Sequence, residues 1–328
     1  MDQPSDTTSG TTPVTLAMYR DLRVGMVVTL LMLATAIVVE RTMASRLQLA
    51  LSEYYFTSAH SIFIAALLGI ATLFFVYRGS SDTEDALLTL AGIAALIAAL
   101  VPQDRPTTYG QHSLPKDYDA TAVVLPNVWA VVVALAIGWG LSYWQHRYNK
   151  TRQTRSPGGT LALYFLRLVV VVGLITLAFF RNTFNHYAHG AAGVLMLTAF
   201  IATVFSSAYL AGQVETLPNR RSYKWFYRII AWVMLATLIG VLTLHLASSG
   251  WLRDIWILVL ETALILEFTA YWVVQTIDLW VTPDIRGCLP EAERNRLPGE
   301  RAPGMKGLKA EFAKAWHAPA GKKLLSLL

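Results

Sequence analysis

The run Leu161-Ala-Leu-Tyr-Phe-Leu-Arg-Leu-Val-Val-Val-Val-Gly-Leu-Ile-Thr-Leu-Ala-Phe-Phe180 carries one charge, Arg167, and passes directly into Arg181-Asn-Thr-Phe-Asn-His186. A helix needs about 20 apolar residues to cross about 30 Å of hydrocarbon. The run therefore reads as a complete membrane span, and the polar residues after it as a tight turn at the membrane surface. Seven further runs have the same character: Val24 to Val39, Ser58 to Tyr77, Ala86 to Val101, Ala122 to Trp144, His186 to Tyr209, Phe226 to Leu246 and Ile255 to Ile277. The third span, Ala86 to Val101, is the shortest. Its small residues Ala91, Ala95 and Ala99 recur every fourth position, a pattern suited to close helix packing in a bundle.

Composition agrees. Of 328 residues, 55% are hydrophobic and 15% charged, against roughly a quarter charged in soluble domains, and the mean hydropathy is +0.45. These values exclude a soluble globular protein and a disordered chain. A single cysteine, Cys288, excludes a disulfide scaffold and a Cys-based zinc or iron-sulfur site. The expected fold is all-α, a polytopic transmembrane bundle of about eight spans.

Lys and Arg concentrate in cytoplasmic loops. With the N-terminus inside, 20 of the 27 basic residues fall on the inner side, six fall outside, and Arg167 can snorkel to the headgroups. Both termini are thus expected in the cytoplasm of a bacterial inner (plasma) membrane protein. Residues 1–20 form a flexible leader, 21–278 the bundle and 279–328 a basic tail. In the tail, Lys306 to His317 places Leu308, Phe312 and Trp316 on one helical face, a pattern for the inner leaflet surface. Membrane lipids, and anionic headgroups at the cytoplasmic face, are the expected partners of the basic segments, with a membrane-protein partner a further expectation. No folded domain stands behind those loops to bind nucleic acid.

This topology sends unusual polar residues to the outer face. His60 begins the second span, His186 and His189 begin the sixth, and His245 ends the seventh, while His112, Asp104 and Asp117 lie in an outer loop. Glu53, Tyr54 and Tyr55 precede the second span, and Arg181 and Asn185 lie in the turn before the sixth. Glu261 lies about 9 Å into the last span at about 1.5 Å per residue, and Glu267 is near its midplane. Such acids require protein, a partner or water around them. Glu267, Tyr271, Gln275 and Asp278 share one helical face, which should face protein.

Three readings follow. In the first, His186, His189, His60 and His245 supply ligands for zinc or another divalent metal, and Glu53 and Glu261 do acid-base work in a metal-dependent lipid hydrolase; Tyr54, Tyr55, Arg181 and Asn185 hold the substrate. In the second, Glu261, Glu267 and Arg181 line a cavity for a lipid or transported solute or ion. In the third, the same groups satisfy helix ends and headgroups in a non-catalytic accessory subunit of an envelope complex. No phosphate-binding Gly-x-x-x-x-Gly-Lys-Ser/Thr loop, Gly-x-Gly-x-x-Gly dinucleotide motif or Gly-x-Ser-x-Gly elbow is present. The leading expectation is a polar pocket on the extracytoplasmic side that binds or processes a lipid or other amphiphilic envelope molecule.

Several stretches together resemble a group of uncharacterised bacterial multi-pass membrane proteins: Ser52-Glu-Tyr-Tyr-Phe-Thr57, Val76-Tyr-Arg-Gly79, Asp85 with Leu90-Ala-Gly-Ile-Ala-Ala95, the start of the sixth span at His189, Tyr227-Arg-Ile-Ile230, and Leu260-Glu-Thr-Ala-Leu264 with Trp272. The resemblance covers about Ser52 to Thr276 and implies an architecture and an envelope location, without an activity. It departs at His60, where the group usually carries a basic residue. A remoter likeness to alkaline ceramidases and adiponectin-type receptors, which are metal-dependent lipid hydrolases, rests on the histidine pair, here spaced i, i+3 in place of i, i+4.

Overall fold

A computed structural model describes residues 13–44, 47–103, 114–115, 118–148, 156–213, 220–247 and 254–280. The start of the leader, the tail beyond residue 280 with its Lys306 to His317 segment, and His112, Asp104 and Asp117 lie outside the described residues. The elements are α1 (Pro13–Met43), a 3-10 segment (Leu51–Phe56), α2 (His60–Val76), α3 (Asp82–Leu100), α4 (Ala120–Tyr148), α5 (Pro157–Phe179), α6 (Arg181–Gln213), α7 (Arg220–Ala247) and α8 (Trp256–Asp278). Among the described residues there is no strand, and each of the eight apolar runs has become a helix. Seven of the helices are long and apolar enough to cross a membrane.

The shortest helix is α2, with 17 residues, and not the third span as its apolar run implies. Helix α3 gains a turn because Ser81 caps its N-terminus, accepting a hydrogen bond from the Glu84 N–H at 3.1 Å, so Asp82, Thr83, Glu84 and Asp85 are helical although polar. Acids in a first turn are favourably placed against the helix dipole. Helix α2 is short because the chain before it folds as the separate 3-10 segment, which is buried and packs against α2 and α8. Helix α5 opens on a Ser156 cap with Pro157 at its first turn, where a missing N–H costs nothing. Asp82 of α3 holds that cap, accepting bonds from the Ser156 N–H and hydroxyl, each at 2.5 Å.

Six helices form a closed circuit in the order α1, α2, α3, α6, α7, α8 and back to α1. Helices α3 and α6 are its most deeply buried members, whereas α5 leans on both from outside and α4 touches α3 only lightly. Ala91, Ala95 and Ala99 are all at 0% exposure, so the small-residue stripe is an inward packing face as expected. Helices α2 and α3 approach closely at Gly92, where a Cβ would stand 2.8 Å from the Phe75 ring and 3.2 Å from the Ala71 carbonyl oxygen.

The first turns of α1 and the last of α8 meet at one end. Arg23 Nη1 donates to the Leu279 carbonyl at 3.0 Å, and Arg20 Nε to that of Trp280 at 2.7 Å. Both termini of the bundle therefore emerge at the same end. We call this the termini end and the opposite one the cap end, where the 3-10 segment sits. Between them lies an aromatic layer: Phe200 and Phe268 stack at 3.9 Å with 7° between planes, Phe74 meets both edge-on, and Leu264 and Val204 are fully buried beside them. Polar side chains gather on either side of this layer.

Candidate functional site

At the cap end, Glu53, Glu261, Tyr54, Tyr55, His60 and His189 are packed or bonded into the structure of the chain. Glu53 Oε2 accepts the Leu49 N–H at 2.8 Å, and Glu261 Oε2 accepts the Leu51 N–H at 2.8 Å. The two acids expected to do chemistry thus tie down the backbone around the 3-10 segment, assisted by a Leu258 N–H bond to the Leu49 carbonyl. Burial pushes the Glu53 carboxyl above its usual range, opposed by the backbone N–H groups of Leu49 and Ala50. Tyr54 and Tyr55 are buried, the latter edge-on to Phe56, Phe63 and the His60 ring. His60 Nδ1 faces the Tyr55 carbonyl oxygen.

The histidines do not converge. His189 is buried, with Nδ1 2.6 Å from the Val101 carbonyl oxygen at the end of α3. His186 is exposed and lies against the Tyr187 ring. His245 lies on Trp256 with ring centres 4.4 Å apart. Among the described residues, no three His, Cys, Asp or Glu side chains are placed to hold a metal ion. The expected set of His60, His186, His189 and His245 with Glu53 or Glu261 is thereby corrected. Residues i and i+3 differ by about 60° around a helix, and the edge of the α3 contact falls between the two, so His189 turns in and His186 out.

Arg181 and Asn185 stand apart from this cap. An open hollow of about 500 Å³ at the turn between α5 and α6 is lined by Ala178, Phe179, Phe180, Arg181, Asn182 and Thr183. Phe179 and Phe180 are 78% and 59% exposed. Asn185, half-buried, lies one turn further along α6. Among the described residues, the one ion pair is Arg78 with Asp85 at 3.4 Å, so no described acid neutralises Arg181. Where an open polar pocket was expected among Glu53, His186, His189, Arg181 and Glu261, Glu53, His189 and Glu261 are taken up in a packed cap, and the open polar surface lies at the α5–α6 turn.

The densest polar cluster is at the termini end, where Arg23, Glu84, Ser207, Tyr227, Tyr271 and Gln275 are all fully buried. Arg23 Nε donates to the Tyr77 hydroxyl at 3.2 Å, which donates to Gln275 Oε1 at 3.3 Å. Gln275 Nε2 donates to Glu84 Oε1 at 3.3 Å and to the Tyr271 hydroxyl at 2.8 Å. That hydroxyl donates to Glu84 Oε1 at 3.1 Å and lies 2.9 Å from Ser207 Oγ. The second oxygen of Glu84 accepts the Ser80 N–H at 2.9 Å, and Tyr227 donates to Asp278 Oδ2 at 2.9 Å. Five helices and the α2–α3 turn are cross-linked here.

The stripe of Tyr271, Gln275 and Asp278 was expected to face protein, and it does. Glu267 diverges toward α7, accepting the Thr237 hydroxyl at 2.6 Å. The aromatic layer intervenes between Glu261 and Tyr271, so the described residues offer no continuous polar path along α8. Arg23, Tyr77, Glu84, Ser207 and Tyr227 are not among the site residues that the sequence singles out. Two signals pointed to them: Ser81-Asp-Thr-Glu84 matches a capping box, and Arg23 falls inside an α1 that begins well before its apolar run.

Comparison of the chain with known protein families, with curated proteins and with solved structures finds no match. Fold and composition define the class. This is an integral, multi-pass α-helical membrane protein, whose buried polar groups serve mainly to join its helices.

Proposed function

We propose that this protein binds an anionic amphiphile, a membrane lipid or envelope precursor, at the hollow between α5 and α6, and that it does so without catalysing a reaction. The observation that carries the reading is the juxtaposition of exposed Phe179 and Phe180 with Arg181, Asn182 and Thr183 in one open hollow. At the end of a span, Phe179 and Phe180 stand at the edge of the hydrocarbon, where they can meet acyl chains just below the headgroups. A guanidinium beside them presents a planar fork to a phosphate or carboxylate. The acids that could act on a bound ester, Glu53 and Glu261, are occupied as backbone acceptors in the cap.

The excess of Lys and Arg near the termini end supports an inner-membrane orientation with that end in the cytoplasm and the hollow on the outer face. A membrane-impermeant maleimide tests the orientation on Cys288, which should react only after the membrane is opened. Labelling in intact cells overturns it. For the binding reading, a phospholipid with an acidic, photoactivatable headgroup should cross-link to the segment 178–187, and Arg181→Gln should lower the yield severalfold. Unchanged yield in a folded Arg181→Gln protein removes the assignment.

A further inference from the structure

The seam between α1 and α8 holds a second feature, at the termini end and independent of the Arg181 hollow. A crevice of about 200 Å³ is lined by Val24, Val27 and Val28 of α1 and by Val273, Thr276 and Ile277 of α8. Its only polar side chain, Thr276, has its hydroxyl bonded to the Trp272 carbonyl at 2.7 Å, so the wall is apolar throughout. Both helices are apolar and long enough to cross the membrane, so the crevice opens toward hydrocarbon.

At its mouth stand Arg20, one turn before Val24, and Trp280, one turn after Thr276 and Ile277. The Arg20 guanidinium carbon lies 4.6 Å from the centre of the Trp280 ring, and Nε donates to the Trp280 carbonyl. Stacking and this bond fix the plane of the guanidinium, and the described residues place no acid in ion-pair contact with it. Asp21 is exposed but lies about 100° around α1 from Arg20, away from the seam. Arg23, one turn deeper, is fully buried and engaged with Tyr77 and Leu279.

We infer that this seam is a binding site for one anionic phospholipid of the bilayer, with an acyl chain in the crevice and the phosphate on Arg20. The occupant follows from position and charge. An apolar crevice facing hydrocarbon takes a lipid chain, and a positive planar fork above it at headgroup level selects a negative headgroup. Trp280 supplies the amphipathic ring that residues at this depth commonly provide.

The test uses the full-length chain in detergent, in the Arg181→Gln background so that the hollow does not contribute. Phosphatidylglycerol and phosphatidylcholine of identical chains compete, and retained lipid is counted by native mass spectrometry. One phosphatidylglycerol should be retained in preference by about fivefold, the factor one basic side chain carries at an anionic headgroup layer. Arg20→Gln should bring the two lipids to parity. Val24→Phe with Ile277→Phe, at exposed positions that tolerate bulk, should reduce retention of both. A preference that survives Arg20→Gln, or retention unchanged by the crevice-filling pair, overturns the site.

Discussion

Removing the Tyr271 hydroxyl tests whether the termini-end cluster joins the helices. In Tyr271→Phe the ring keeps its contacts with Phe268, Trp272 and Tyr227, so packing is retained while three hydrogen bonds are lost, to Glu84, Gln275 and Ser207. At about 0.6 kcal/mol each, the average for interhelical bonds in membranes, the loss is about 2 kcal/mol. The carboxylate partner, left short of a donor in a fully buried place, pushes the value upward. Ser207→Ala removes only one of the three and should cost about 0.6 kcal/mol. Because Ser207 acts through Tyr271, the double variant should be no less stable than Tyr271→Phe alone. Reversible unfolding in mixed micelles with rising SDS content, followed by tryptophan fluorescence, reads all three. A loss below about 0.5 kcal/mol for Tyr271→Phe, or strict additivity with Ser207→Ala, refutes the reading that these groups bind the helices as one unit.

Other expectations concern the cap and the core. Burial raises the Glu53 carboxyl, so the folded cap holds a proton more tightly than the unfolded chain. Its contribution is favourable below the unfolded carboxylate value and is lost as pH rises through the folded one. Hydrogen exchange over residues 49–57 should therefore quicken across that window in the wild type and stay flatter in Glu53→Gln; identical profiles contradict this. His189→Ala should lower stability by about 1 kcal/mol through the lost bond to Val101, as measured by SDS unfolding, and leave metal content unchanged by elemental analysis. Gly92→Val would drive side-chain atoms into the Phe75 ring and the Ala71 carbonyl, costing about 1–3 kcal/mol. A melting temperature equal to wild type would show that α2 and α3 can separate there.

The spans were legible because the bilayer imposes one dominant rule, apolarity over a fixed length; all eight runs fold as helices, and seven of them meet that length. Helix ends were less legible because a hydrogen-bonded helix continues through polar residues when a cap or partner receives them. Asp82 to Asp85 are helical beyond the apolar run of α3, and Arg181 to Asn185 beyond that of α6. The outer cluster was misread for a related reason. Shared height on a sequence topology places His60, His186, His189 and His245 at one end of the bundle, but azimuth decides whether they meet, and azimuth depends on which neighbour each helix finds. The Tyr271, Gln275 and Asp278 stripe succeeded because it needed only the periodicity of one helix. Glu84 and Arg23 required knowledge of which helices adjoin, and no single-helix pattern contains that.

The pairing of α3 with α6 carries a consequence for biogenesis. These two helices are each other's principal neighbours, yet α4 and α5 are synthesised between them. A nascent chain in which α3 has already entered the bilayer must hold Glu84 and its alanine face against lipid, α2 or the outlying helices α4 and α5 until α6 arrives. During that interval α3 is the segment least suited to remain inserted by itself. A ribosome stalled before α6 would therefore leave a half-made protein whose third helix is prone to slip back out, a recognisable substrate for membrane chaperones and proteases.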